Sequence, residues 1–218
     1  MPVKVGLQYI EIWKDSLEKT VRLYEEENAP KGQIVFYGPS NFTRWGTKYG
    51  MRPLREDVLG TSGSPCCINR GFGSSCPEHQ LYYYPRMVRS LAPKVLVYSP
   101  GFGNGEAFGY TLEETFELAE RVVAYARTDF PEMRIYLCGA HLTMNRSEER
   151  LEKTRRYDAW LRELAARTPD CVYIDPKEHA PLHRTDIFVK DGVHYNQEGY
   201  DLYGAFFREA LKDELDRF

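Results

Sequence analysis

Five short apolar runs, each cut off by glycine, proline or a polar residue, alternate along the chain with longer amphipathic stretches, and that alternation constrains the fold more than any other feature. The runs are QIVFYG (33 to 38), CCINRG (66 to 71), KVLVYS (94 to 99), RIYLCGA (134 to 140) and CVYIDP (171 to 176). They are rich in Ile, Val, Tyr and Cys and too short for helices with a buried face, which predicts buried strands. Between and after them, TLEETFELAERVVAYART (111 to 128), RSEERLEKTRRYDAWLRELAAR (146 to 167) and QEGYDLYGAFFREALKDELDRF (197 to 218) carry apolar residues at helical spacing with charges elsewhere. These are expected to be helices with one buried face, and the aromatic run LYYYP is expected to begin another after the second strand. Strand and helix in alternation predict an α/β fold, a three-layer α/β/α sandwich around an open parallel sheet with right-handed crossovers. At 218 residues the expectation is one domain, residues 1 to 218, with residues 1 to 30 an N-terminal helical extension.

Composition narrows the partners. Lysine and arginine total 29 against 32 acidic residues, a formal charge of -3 without long blocks of one sign, so no electrostatic footprint for nucleic acid is present. No segment approaches the ~18 consecutive apolar residues of a membrane span, and the N-terminal stretch lacks the apolar core of a cleaved signal. Five cysteines, Cys66, Cys67, Cys76, Cys138 and Cys171, are odd in number and contain no CxxC pair, which disfavours a disulfide framework or zinc finger and fits reduced thiols in a cytoplasm.

In open parallel sheets ligands sit beyond the carboxyl ends of the strands, where strand order reverses. Four such places carry polar groups. FYGPSNFTRW (36 to 45) ends the first run with Gly38-Pro39 before Ser40; the serine is a helix cap or, given an imidazole to take its proton, a nucleophile. KDGVHYNQEGY holds Asp191 and His194 three apart, a spacing that lets a carboxylate accept from the imidazole Nδ1-H while Nε2 faces a third group. NRGFGSSC after the second strand has Gly71 and Gly73 for close backbone approach and the Ser74 amide as a donor. SPGFGNGEAFG after the third has Asn104, a neutral donor suited to a developing oxyanion, flanked by Phe102 and Phe108 as pocket walls.

His179 and His183, in DPKEHAPLHRTD, are four apart as metal ligands on a helix would be, but Pro176 and Pro181 predict an irregular loop and no metal site. His79 and His141 could approach the pocket from their strand-end loops but are expected as polar surface histidines, and Cys76 and Cys138 as packed small groups with no compelling basic partner to make them nucleophiles.

The ordered set FYGPSNFTRW, INRGFGSSC, PKVLVYSPGFGNGEAFG and DGVHYNQEGY resembles the four sequence blocks of the SGNH, or GDSL, superfamily of serine esterases and lipases, over about residues 33 to 204. The resemblance implies a five-stranded parallel sheet in the flavodoxin-like order 2-1-3-4-5. It implies Ser40 as nucleophile, His194 as general base oriented by Asp191, and Asn104 as an oxyanion donor. The second block's donor falls on Ser74 by counting from Asn69, with Gly73 the neighbouring alternative. Three positions depart from the family pattern: Pro39 replaces its aspartate, Ser74 its glycine, and the third block is one residue longer before Asn104 and lacks the following aspartate. The implied activity is hydrolysis of short-chain or sugar O-acyl (acetyl) esters through an acyl-enzyme, without metal or other cofactor. A small-molecule or carbohydrate ester is the expected partner, and the oligomeric state is undefined. Two alternatives are a catalytically weak carbohydrate- or acyl-binding module on the same scaffold and an acyltransferase to a sugar hydroxyl.

Overall fold

A computed structural model describes residues 14 to 218. The expected N-terminal extension therefore falls partly outside the described residues; within them, α1 occupies Lys14–Glu26. The strands are β1 (Ile34–Gly38), β2 (Cys67–Gly71), β3 (Val95–Tyr98), β4 (Arg134–Cys138) and β5 (Cys171–Ile174), all parallel, in the order 2-1-3-4-5. Each lies inside its expected run, shortened by no more than two residues at either end.

The helices that follow α1 are α2 (Ser40–Thr43), α3 (Leu54–Asp57), α4 (Pro77–Met87), α5 (Phe102–Ala107), α6 (Leu112–Asp129), α7 (Glu148–Arg167), α8 (Gln197–Ala210) and α9 (Lys212–Leu215). Side chains alternate across a strand, and the core divides along that alternation. Val35, Tyr37, Leu96, Tyr98, Ile135 and Leu137 face a layer built from α1, α4, α6 and α7. Ile34, Phe36, Val95, Val97, Tyr136 and Cys138 face the other layer, with Trp45, Leu54, and Tyr203 and Phe207 of α8. Both faces being covered, the strands have no polar alternation to display, which is why their sequences are continuous apolar runs.

Two expectations change in detail. LYYYP does not begin its helix: α4 starts at Pro77, where a proline's missing N–H costs nothing in the first turn, and Tyr83 and Tyr84 are buried while Tyr82 is exposed. The final amphipathic stretch is two helices, α8 and α9, separated at Leu211.

Candidate active site

The site lies at the carboxyl ends of β1 and β3, neighbours in the sheet at the point where strand order reverses. Gly38 closes β1, Pro39 follows with φ -82° and ψ -149°, and Ser40 opens α2. Turning this sharply brings α2 down onto β2, and Gly71 permits it: a Cβ there would sit 2.3 Å from the Thr43 amide nitrogen, closer than any side chain can stand.

Ser40, His194 and Asp191 form a continuous hydrogen-bonded line. Ser40 Oγ lies 2.8 Å from His194 Nε2, and His194 Nδ1 lies 2.8 Å from Asp191 Oδ2. An ionised carboxylate only accepts, so Nδ1 carries the proton and the Nε2 lone pair faces the serine. The Asp191 carboxylate takes three more donors: the amides of Val193 and His194 on Oδ1, both at 2.9 Å, and Arg44 Nη1 on Oδ2 at 3.1 Å. Burial alone would raise its pKa, but the His194 amide and imidazole and the Val193 amide outweigh it and hold the carboxyl well below the usual carboxylate range. Burial lowers the His194 pKa; Asp191 pulls it up and the nearby Arg44 charge pushes it further down.

Arg44 carries no sequence motif of its own, and its role was not evident before the structure. The available signal is its place four residues after Ser40, one helical turn on, with its backbone N–H bonded to the Ser40 carbonyl at 2.9 Å.

Asn104 lines the same cavity of about 90 Å³ as Ser40 and His194. Its Nδ2 donates one hydrogen to the Ser75 carbonyl at 2.8 Å, which fixes the amide's orientation and leaves the second hydrogen unassigned. The glycine-rich stretch around it is not a loop. Gly101, at φ +70°, turns the chain into the left-handed region, and α5 follows at once, placing Asn104 in its first turn. Phe102 supplies the anchor: it is buried, with its ring 4.6 Å from that of Tyr157. Phe108 instead packs on His79, 5.4 Å between ring centres, and is not among the cavity walls.

In the second block, Gly73 stands next to the serine: a Cβ on it would lie 3.8 Å from Ser40 Cβ. Ser74 is exposed, absent from the cavity lining, and held at φ +63°, the region a glycine occupies without strain. Among the described residues, no acceptor takes the amides of Ser40, Gly73 or Ser74.

Two histidines, His79 and His141, differ from expectation. His79 is fully buried, with Nδ1 3.3 Å from the Cys76 amide and 3.2 Å from Cys76 Sγ, so it is a core group rather than a surface one. His141 is a cavity wall, its Nε2 donating to the Val193 carbonyl at 2.8 Å. Burial, first of all, brings its pKa down to about 4, so it is neutral near pH 7. His179 joins two short 3-10 turns and His183 ends the second of them, and among the described residues no cluster of three His, Cys, Asp or Glu side chains is arranged to hold a metal. All five thiols are free; burial pushes Cys76 up to about 11 and Cys138 up to about 12, as befits packed, unreactive groups. No helix of the described residues is long and apolar enough to cross a membrane.

Residues 32–202 match the GDSL-like lipase/acylhydrolase family. Among solved structures, the chain is similar to a Bacteroides fragilis protein assigned as an acylhydrolase, at 21% identity over 91% of this chain and 97% of that one, TM-score 0.68. It is also similar to an acetyl xylan esterase, at 19% identity over 82% and 99%, TM-score 0.67. A third likeness is to a psychrotrophic esterase of a Pseudoalteromonas species inhibited by monoethylphosphonate, at 12% identity over 85% and 100%, TM-score 0.66. No curated protein matches. The family match spans most of the chain and includes Ser40, Asn104, Asp191 and His194: the chain belongs to the GDSL-like lipase/acylhydrolase family, enzymes that act on ester bonds.

Proposed function

We propose that the chain is a single SGNH-hydrolase-like domain that cleaves short-chain or sugar O-acyl esters through an acyl-enzyme on Ser40. The observation that carries this is the line Ser40 Oγ, His194 Nε2, His194 Nδ1, Asp191 Oδ2, with 2.8 Å at each hydrogen bond. Ser40 Oγ attacks the acyl carbon as its proton passes to His194 Nε2. The resulting imidazolium is stabilised by the Asp191 carboxylate behind it. The tetrahedral oxyanion is met by the Ser40 amide, the amide of Ser74 or its neighbour Gly73, and the second Nδ2 hydrogen of Asn104. Collapse expels the alcohol, protonated by His194, and the same imidazole then deprotonates water to release the acid. The reaction so drawn uses only protein groups and water.

A cavity of about 90 Å³ favours a short acyl group such as acetyl, and the similarity to an acetyl xylan esterase is in keeping with a carbohydrate ester. Five free thiols favour a reducing compartment, and we assign the protein to the cytoplasm on that basis.

Labelling with a fluorophosphonate probe and mapping the adduct tests the reading. Wild type is expected to be modified at Ser40 and Ser40→Ala to remain unmodified. No adduct, together with p-nitrophenyl acetate turnover no faster than that of Ser40→Ala, would overturn it.

A further inference from the structure

Among the described residues lining the cavity at Ser40, Arg150 alone carries a permanent charge. His141 beside it is neutral, and the remaining walls are glycines, small apolar residues, aromatic rings and uncharged polar groups. Arg150 occupies the first turn of α7, after the Ser147 cap, where a cation opposes the helix dipole; helix stability does not account for an arginine there. Its guanidinium lies over the Phe102 ring, 4.3 Å from the centroid, and comes within 3.0 Å of where a Cβ on Gly103 would stand, one residue from Asn104.

The charge of Arg150 is only partly answered. Its guanidinium makes one hydrogen bond among the described residues, from Nη1 to Glu106 Oε2 at a long 3.3 Å. The other oxygen of Glu106 is taken by Lys153 Nζ, which also pairs with Glu149 Oε1 at 2.9 Å, so Arg150 shares Glu106 with a second cation. With 26% of its side-chain surface exposed, Arg150 has lost much of its hydration without a full ion pair in return. Planar guanidinium groups bind compact oxyanions through paired N–H donors, and among the described residues Nη2 and Nε have no acceptor.

We propose that Arg150 is a specificity-determining residue that reads a carboxylate on the ester substrate, so that the preferred substrate is a monoanionic ester. Arg150 and Lys153 are balanced by Glu106 and Glu149, so what Arg150 offers is unpaired N–H donors rather than a surplus of charge, which suits a carboxylate better than a phosphate dianion. This inference rests on the esterase reading of Ser40, and its test keeps the two separable.

The test compares 3-acetoxybenzoate with the isosteric, neutral 3-acetoxybenzamide, by kcat/KM, in the full chain carrying Arg150, Arg150→Met or Arg150→Gln. Wild type is expected to favour the carboxylate by about 10- to 100-fold, chiefly through KM, as removal of a charge-assisted pair implies. Both variants are expected to bring that ratio close to unity; the glutamine keeps a donor for Glu106 and guards against simple loss of folding. Equal rates for the two esters in wild type, or an equal fall for both in the variants, would overturn the proposal and assign Arg150 to bracing α5. Binding of the non-hydrolysable 3-acetamidobenzoate and 3-acetamidobenzamide to Ser40→Ala, by calorimetry, decides the point without turnover. The acid is expected to bind more tightly by about tenfold, and to lose that advantage when Arg150→Met is added; equal binding would overturn the proposal. Failure of hydrolysis in wild type with carboxylate-selective binding intact would refute the esterase reading alone.

Discussion

Asp191→Asn is the sharpest perturbation of the site, because all four partners of this carboxylate are donors. Oδ1 accepts the Val193 and His194 amides, and Oδ2 accepts His194 Nδ1 and Arg44 Nη1. Asparagine offers one accepting oxygen and one donating nitrogen. With its oxygen on the two amides, its NH2 faces His194, whose Nδ1 must then become the acceptor and whose proton moves to Nε2, aimed at Ser40. The flipped amide would set a donor against two backbone N–H groups, while Arg44, one third exposed, can turn to water. The difference is about two hydrogen bonds, roughly 2 to 3 kcal/mol in favour of the inactive tautomer. Loss of the negative charge beside the forming imidazolium removes up to about 4 kcal/mol at an effective dielectric near 20, reduced to about 2 by solvent at this partly exposed carboxylate. Together these lower kcat/KM by about 10³ to 10⁴. The assay is initial-rate hydrolysis of p-nitrophenyl acetate between about pH 5 and 9, with Ser40→Ala as baseline and circular dichroism to establish folding. A folded Asp191→Asn enzyme that keeps more than about a tenth of wild-type activity would refute the tautomer argument.

Arg44→Gln removes a positive charge that holds the His194 pKa down, so the acid limb of kcat/KM should move to higher pH; a limb that stays put or moves down would contradict the pairing seen at Asp191. Ser74→Gly relieves a left-handed backbone at φ +63° and should raise stability by about 0.5 to 1 kcal/mol, net of the glycine's greater unfolded entropy, seen as an increase in Tm of about 1 to 4 °C. His141 is held down at about 4 against an unfolded value near 6.5, so the unfolded chain binds the extra proton between them. Its contribution is present above about pH 6.5 and is lost as pH falls towards 4, roughly 2 kcal/mol of it between pH 7 and 5. Urea denaturation of His141→Phe should therefore show a shallower loss of stability over that interval than wild type, and an unchanged slope would remove His141 from the account.

Strand positions were legible in the sequence because burial on both faces leaves a simple mark, a short apolar run ended by glycine or proline, whereas the sheet order leaves no such mark and followed only from the family resemblance. Ser40, His194 and Asp191 were legible as an ordered set, since each sits at a strand end or before the last helix. Arg44 was not, because an arginine on a short amphipathic turn is the commonest of surface residues and only the fold carries it to a carboxylate 147 positions away. Helix α5 was missed for a related reason: its glycines signal a loop, and the helix depends on Phe102 finding Tyr157 on α7, a contact no local window contains. His79 was misjudged because a histidine's burial is decided by its neighbours, here Cys76 and Phe108.

The serine and the imidazole it meets lie 154 positions apart, and the fastening between their two segments belongs to α8: the Tyr200 hydroxyl donates to the Asn41 carbonyl at 3.0 Å, and Trp45 lies against Tyr200 and Tyr203. During synthesis, the nucleophile's strand and turn are complete long before the residues that activate them exist. Closing so long a loop waits on α8, which makes it a late event on the folding path. A ribosome-bound or C-terminally clipped chain would hold an inert serine, and the appearance of esterase activity during refolding would time the docking of α8 rather than the formation of the sheet.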